Sequence, residues 1–264
     1  MKTHEEANHD LILKPDDIHI WFAFPDEIIE DSLLSAYMHL LPPDEQAQQQ
    51  RFQFPKHRRQ YLVTRALART TLSRYTGIDP LDLHFSKNDY GRPEIAYTDR
   101  SYPVRFNLSH TDGLIACAVV LKKDIGVDVE SVDHRKIDLS SVDRFFSLKE
   151  AADFQLCSRK RERFFEYWVL KESYIKARGL GLSLPLDQFS FHVSDHEPIR
   201  ISFDQGFDDN PQRWKFFLFK PTTSHRAAIT VCDESKYIYQ IATKRVVPLQ
   251  EECELYCPIL NYSS

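Results

Sequence analysis

Residues 126–130 read GVDVE, an alternation of apolar and acidic side chains that is typical of a β-strand. Side chains two positions apart lie on the same face of a strand, so Val127 and Val129 share one face and Asp128 and Glu130 share the other. Two neighbouring carboxylates repel each other unless a cation or water lies between them. For a single pair of this kind an exposed acidic strand face is the commoner explanation, so the pair needs support from other segments.

A helix that ends in glycine forms the second segment. The stretch that begins at Trp168 reads WVLKESYIKARGLG. Trp168, Glu172 and Lys176 are four residues apart and line one face of a helix, and Gly179 or Gly181 can take the left-handed conformation that ends it. An ordinary Glu–Lys helix pair, worth about 0.2 to 0.5 kcal/mol, explains this spacing. A carboxylate and an ammonium on one face are also what a magnesium pyrophosphate site requires.

A strand that runs into small polar side chains forms the third segment. Residues 106–111 read FNLSHT, and residues 91–93 before them read GRP. The hydroxyl of Ser109, the imidazole of His110 and the guanidinium of Arg92 can hold phosphate oxygens together with backbone amides. A turn with a half-buried histidine explains the serine and the histidine equally well when they are taken alone.

The order of the predicted elements indicates an α+β fold. Strand patterns are found at 18–24, 81–86, 104–108, 114–121, 125–130, 189–193, 199–203, 214–219 and 226–231. Helices are predicted after Pro42-Pro43, at about 56–75, and at about 140–178 with breaks near Ser147 and Cys157. The order predicts two α+β halves, at 17–124 and 125–245, between terminal arms at 1–16 and 246–264.

Composition and charge exclude several classes of protein. The 264 residues carry a net charge of -5, so the chain is not a polybasic nucleic-acid binder, and an anionic ligand must be met by a local patch. The helix at about 56–75 is the most basic one. The polar amino terminus lacks the apolar core of a signal peptide, and the longest apolar run, at 114–121, is too short to span a bilayer. We therefore expect a cytoplasmic protein without membrane or nucleic-acid partners, whose five cysteines, lacking metal-site spacing, are free thiols.

Taken in order along the chain, these segments resemble the 4'-phosphopantetheinyl transferase superfamily, in its single-chain, Sfp-type branch. The motifs that carry the resemblance are GRP, NLSH, GVDVE, RFFSxxE and WxxKESxxKAxGxG. They occur in family order and cover roughly residues 50–190. The resemblance implies two pseudo-symmetric α+β halves packed together, in a monomer with internal pseudo-twofold symmetry.

The resemblance also implies a metal site and its catalytic groups. Asp128, Glu130 and Glu172 match the carboxylates that hold Mg²⁺, for which Mn²⁺ can substitute, on the pyrophosphate of coenzyme A. Lys176 matches the lysine that meets the phosphates, where it can neutralise or protonate the departing 3',5'-ADP. Glu150, at the end of RFFSxxE, aligns with a motif glutamate near the site.

Further residues match contacts to coenzyme A. The matching positions are Arg92, Ser109, His110, Asp128 and Lys176. Asp128 thus matches both a metal ligand and a coenzyme A contact. Arg59 and Arg69 lie in the basic helix, where the family places cations for the nucleotide end, although Arg58 or Arg65 could serve instead. Arg92 stands where lysine is also common, so the charge is kept while its geometry changes.

The implied activity is transfer of 4'-phosphopantetheine from coenzyme A to a serine of an apo acyl or peptidyl carrier protein. The reaction releases 3',5'-ADP and gives the holo carrier, as in a holo-[acyl-carrier-protein] synthase. The serine proton could go to Glu172, to Glu150 or to a metal-bound water, and fatty-acid, polyketide and nonribosomal-peptide carriers all fit.

Two other functions use the same residues. A non-catalytic coenzyme A sensor would be favoured by the loss of one acidic ligand, but all three are present. A metal-dependent phosphohydrolase leaves GRP, the Ser-His pair and the lysine of the helix unexplained.

Overall fold

A computed structural model describes residues 11–96, 104–133, 137, 142–235 and 237–263. The α-helices are α1 (Asp31–His39), α2 (Pro43–Arg51), α3 (Pro55–Thr76), α4 (Val142–Phe145), α5 (Leu148–Leu156) and α6 (Lys160–Arg178). The strands are β1 (Asp17–Ala23), β2 (Phe85–Lys87), β3 (Pro93–Ile95), β4 (Val104–Thr111), β5 (Leu114–Leu121), β6 (Ile125–Ser131), β7 (Phe189–His192), β8 (Arg200–Phe203), β9 (Trp214–Phe219), β10 (His225–Cys232), β11 (Gln240–Val247), β12 (Glu251–Glu254) and β13 (Ile259–Tyr262).

Two larger sheets organise the chain into two α+β halves. The first has the strand order β12-β11-β1-β5-β4 and the second the order β13-β9-β10-β6. Successive side chains of β1 point into two different hydrophobic cores. Trp21 packs in the core beneath α3. Ile20 and Phe22 pack in the core between the two sheets, which also contains Val127 and Val129 of β6. Helix α6 covers the outer face of the second sheet. The expected α+β arrangement of two packed halves is therefore confirmed.

Local sequence signals account for the two long helices. Helix α3 begins at Pro55 and ends at Gly77, whose φ of 67° is left-handed. Helix α6 likewise ends at Gly179, with a φ of 68°. The expected break at Ser147 is confirmed as the capping residue of α5, and the break at Cys157 follows the same helix.

Close packing of α6 on β6 depends on one glycine. A Cβ atom at Gly126 would lie 1.9 Å from the carbonyl oxygen of Ser173. Any larger residue would push the helix away from the strand. The glycine of GVDVE thus brings the acidic strand within side-chain reach of the lysine helix.

Some expected elements differ from the structure. The strand predicted at 81–86 was wrong in its first part, because the Asp79 side chain accepts the amide hydrogen of Leu81 in a turn and β2 begins only at Phe85. Helix α1 carried no recognised start signal. Within 246–264, expected as an arm, the described residues include β12, which pairs with β11 in the first sheet, and β13, which pairs with β9 in the second. Strand β11 itself pairs in parallel with β1.

Two expectations fall partly on undescribed residues. Residues 1–10 of the expected amino-terminal arm, and residues 140–141 at the expected helix start, lie outside the described residues. Across the ranges that are described, no helix is long and apolar enough to cross a membrane.

Candidate active site

Strand β4, at the edge of the first sheet, lies beside β6, at the edge of the second, and we call this boundary the seam. Here the acidic face of β6 meets Lys176 of α6. The Lys176 Nζ atom lies 2.7 Å from Asp128 Oδ1 and 3.0 Å from Ser109 Oγ, and it donates to the Val127 carbonyl at 3.1 Å. Strand β6 supplies the carboxylate, β4 the hydroxyl and α6 the ammonium. The structure thus joins three of the predicted site residues, which come from three separate motifs.

Glu130 is held by two side chains at the same seam. Trp168 Nε1 donates to Oε1 at 3.0 Å, and Thr111 Oγ1 donates to Oε2 at 3.3 Å. Since Trp168 contacts Glu130 and Lys176 contacts Asp128, helical spacing places Glu172 between them on the face of α6 toward β6. Trp168 and Thr111 were missed as site residues, although the four-residue spacing of Trp168 was a usable signal.

One carboxylate oxygen of the site has no partner. Asp128 Oδ2 is buried and accepts no hydrogen bond from any described residue, and the side chain of Asp128 is only 7% exposed. A buried acceptor left unsatisfied costs about 1 to 3 kcal/mol, and more when it is charged. No three His, Cys, Asp or Glu side chains within the described ranges are grouped closely enough to hold a metal ion. The acidic residues thus lie along the seam, but their carboxylates do not converge on one position where a metal ion could bind.

Ser109 and His110 differ in the use of their polar atoms. The Ser109 hydroxyl donates to Asp128 Oδ1 at 2.9 Å and accepts from both Lys176 and the Val129 amide, which uses its whole hydrogen-bonding capacity. His110 is exposed and its Nδ1 lies 3.3 Å from Gln60 Nε2. Although part of the side chain reaches solvent, neighbouring atoms displace water from the imidazole, and this desolvation, followed by the charge of Lys176, lowers the pKa of His110. His110 is therefore the freer of the two for a ligand.

Arg92 and Arg59 lie at different depths. The Arg92 guanidinium donates to the carbonyls of Ala177 and Ile125, both at 3.0 Å, and so joins the end of α6 to the start of β6. Burial, followed by the charge of Arg105, lowers the pKa of Arg92. Arg59 is 29% exposed and pairs with Asp26 at 2.9 Å. Arg92 braces the site, whereas Arg59 can turn toward a ligand.

Arg69 and Glu150 are not brought to the seam. Arg69 is 2% exposed and donates to Glu45 and to the Pro80 and Leu83 carbonyls. These contacts occupy the guanidinium group of Arg69 within the amino-terminal α+β half. The predicted coenzyme A contact at Arg69 therefore conflicts with its packing.

The carboxylate of Glu150 is fully enclosed. It pairs with Lys171 at 2.8 Å and accepts the amide hydrogens of Ser147 and Phe191, each at 2.8 Å. Burial raises the pKa of Glu150. The predicted catalytic role conflicts with this position, because no oxygen of the 0% exposed side chain faces the seam.

Comparison with known proteins defines the class of this chain as a transferase. Residues 124–232 match the 4'-phosphopantetheinyl transferase superfamily, and residues 30–122 match the family described as 4'-phosphopantetheinyl transferase, N-terminal. The 4'-phosphopantetheinyl transferase HetI of Nostoc sp. is 31% identical over 223 residues, which cover 84% of this chain and 90% of HetI. Sfp of Bacillus subtilis is 32% identical over 188 residues, 70% of this chain and 80% of Sfp. The chain belongs to the 4'-phosphopantetheinyl transferase superfamily, in its single-chain, Sfp-type branch.

Proposed function

We propose that this chain, as a monomer of the cytoplasm, moves 4'-phosphopantetheine from coenzyme A to a serine of an apo acyl or peptidyl carrier protein. The observation that supports this most is the contact of Lys176 with Asp128 at the seam, where the second oxygen of Asp128 is buried without a partner. An ammonium beside an unsatisfied carboxylate suits a ligand that brings both a cation and phosphate. The coenzyme A pyrophosphate with a divalent metal is such a ligand.

The chemistry of the donor atoms suits Mg²⁺ rather than a softer metal, and the three carboxylates would have to draw together around the ion. Asp128, Glu130 and Glu172 offer only carboxylate oxygens, which magnesium prefers. The bound ion would neutralise charge on the pyrophosphate. The unsatisfied Oδ2 of Asp128 supports the assignment, since a cation there would remove the cost of its isolation.

The protein groups divide the work of the reaction. The carrier serine oxygen forms a bond to the phosphorus that bears the pantetheine, the bond from that phosphorus to the oxygen of 3',5'-ADP breaks, and the serine proton is released. Lys176 would neutralise the leaving phosphate, a role that its contact with Asp128 supports. Glu172, partly exposed on the same helix face, suits the proton acceptor better than Glu150, which is buried.

Mass spectrometry of an apo carrier protein tests the proposal. With coenzyme A and Mg²⁺, wild-type enzyme should add about 340 Da, the mass of the transferred group. Asp128→Ala, Glu130→Ala and Glu172→Ala should each lose most of this activity and keep a cooperative unfolding transition. Coenzyme A breakdown without carrier modification would favour a phosphohydrolase, and binding without either would favour a sensor. A panel of fatty-acid, polyketide and nonribosomal-peptide carriers would then define the target.

A further inference from the structure

Two edge strands meet at the seam without pairing through their backbones. Strand β4 is the edge of the first sheet and β6 is the edge of the second. The strands are joined instead by a series of side-chain hydrogen bonds, which we call the β4–β6 ladder. Its rungs run from the amides of Val127, Val129 and Ser131 to side-chain oxygens of Asn107, Ser109 and Thr111, at 2.9, 3.3 and 3.2 Å.

The ladder satisfies backbone groups that would otherwise be orphans. The three amides belong to alternate residues of β6 and point away from its partner β10, toward β4. Buried amide groups almost always have acceptors, and an open strand edge lacks them. Because the side chains of β4 also repeat every two residues, a slip by one residue would remove every rung. The ladder therefore fixes the position of β6 along β4.

Two rungs also contact the acidic residues of the site. The Ser109 hydroxyl donates to Asp128 at 2.9 Å, and the Thr111 hydroxyl donates to Glu130 at 3.3 Å. Each hydroxyl is anchored by an amide of β6 and in turn holds a carboxylate on the same strand. Asn107 forms a rung of the same kind but touches neither carboxylate.

We propose that Thr111 is a positioning residue that orients Glu130 as a metal ligand, an inference that rests on the proposed function. Its hydroxyl fixes Oε2 of Glu130, while Trp168 fixes Oε1. Ser109 cannot be tested as cleanly, because its hydroxyl also binds Lys176. Thr111 therefore separates the positioning of a metal ligand from the other tasks of β4.

Direct measurement of metal binding tests this role. Mn²⁺ is titrated into the full chain with coenzyme A in excess, free Mn²⁺ is followed by electron paramagnetic resonance, and binding to coenzyme A alone is subtracted. Loss of a group that hydrogen-bonds a metal ligand commonly lowers the metal affinity by 10- to 100-fold. Because 3.3 Å is long for a hydrogen bond from a hydroxyl, we expect the lower end of this range. Thr111→Val should therefore weaken Mn²⁺ binding by about 10-fold. Thr111→Ser, which keeps the hydroxyl, should restore most of it.

Asn107→Ala is the matched control. It removes one rung, as Thr111→Val does, and should lower the Tm while leaving the Mn²⁺ affinity within about twofold of wild type, since Asn107 holds no ligand. Equal affinities for Thr111→Val and wild type, or an equal loss in Asn107→Ala, would overturn the inference and leave the proposed function standing. If wild type binds no Mn²⁺ beyond the coenzyme A background, the metal site and the inference both fail. If Thr111→Val does not fold, Thr111→Ser and Thr111→Ala decide by the same criteria.

Discussion

Two of the lysines of helix α6, Lys171 and Lys176, lie five residues apart, and each forms an ion pair with an acidic side chain from another element. Lys171 pairs with Glu150 at 2.8 Å, and the two side chains are 1% and 0% exposed. Lys176 pairs with Asp128 at 2.7 Å, with exposures of 27% and 7%. Both carboxylates are buried, yet of the two only Asp128 has an oxygen without a partner among the described residues, and of the two lysines only Lys176 reaches solvent.

The comparison shows that the type of a motif residue does not tell whether its role is structural or functional. Its hydrogen-bonding and ion-pair partners do. The Glu150 pair is complete: carboxylate and ammonium are satisfied by each other and by backbone groups. The Asp128 pair is incomplete and open. A complete buried pair can stabilise one arrangement of the chain, whereas an incomplete pair can accept a ligand.

The largest effect should come from breaking the complete pair of Lys171 and Glu150. Lys171→Met leaves the Glu150 carboxylate buried without its cation, and this should lower the free energy of unfolding by about 3 to 5 kcal/mol. Turnover for each folded molecule should stay near wild type, because Lys171 does not face the seam. Chemical denaturation combined with the transfer assay measures both quantities. A stable variant with impaired turnover would reverse the assignment.

The next effect should come from the open pair. Lys176→Ala should reduce kcat by about 10² to 10³-fold, the usual cost of losing a group that stabilises developing charge. Stability should change less than in Lys171→Met, since water can reach the vacated position. Steady-state kinetics separate the roles: an increase in KM for coenzyme A with unchanged kcat would show that Lys176 only binds the ground state. Lys176→Arg should recover part of the activity, because the planar fork cannot occupy the position of the ammonium.

The smallest effect should come from an ion pair at the surface. Arg59, paired with Asp26, extends the comparison to an exposed pair, whose strength rarely exceeds about 1 kcal/mol. Arg59→Gln should therefore raise the Kd for coenzyme A by no more than about fivefold at low salt. Near 1 M salt, where the Debye length is about 3 Å, the difference should disappear. Arg200→Gln, an equal loss of charge at an ion pair with Glu197, is the control, and an equal change in both variants would argue against a nucleotide contact at Arg59.

Local sequence patterns predicted the components of the site. The alternation in GVDVE predicted that Val127 and Val129 share one face of the strand and Asp128 and Glu130 the other. In the structure the valines pack in the core between the sheets, and the carboxylates contact side chains of α6. The four-residue spacing in α6 likewise gave the row that faces β6. These features depend on strand and helix periods, which the sequence displays directly.

Long-range packing could not be predicted in the same way. Glu150 and Arg69 stand in segments with the right charges, but their burial depends on Lys171 and Glu45, which the motif spacing does not report. The parallel pairing of β11 with β1 joins residues far apart in the chain, and no local period signals it. The division of the chain near residue 124 stays a prediction.

The most direct test of the account is the single-turnover transfer rate of Asp128→Asn and Glu150→Gln, each corrected for the folded fraction in the same sample. Both variants replace a buried carboxylate that pairs with a lysine of α6. The account predicts that Asp128→Asn stays folded and loses about 10² to 10³-fold in rate, the scale of a lost catalytic contact. Glu150→Gln should unfold at a lower temperature yet transfer at nearly the wild-type rate when folded. Near-normal transfer by Asp128→Asn at saturating Mg²⁺, or a slow but fully folded Glu150→Gln, would contradict it.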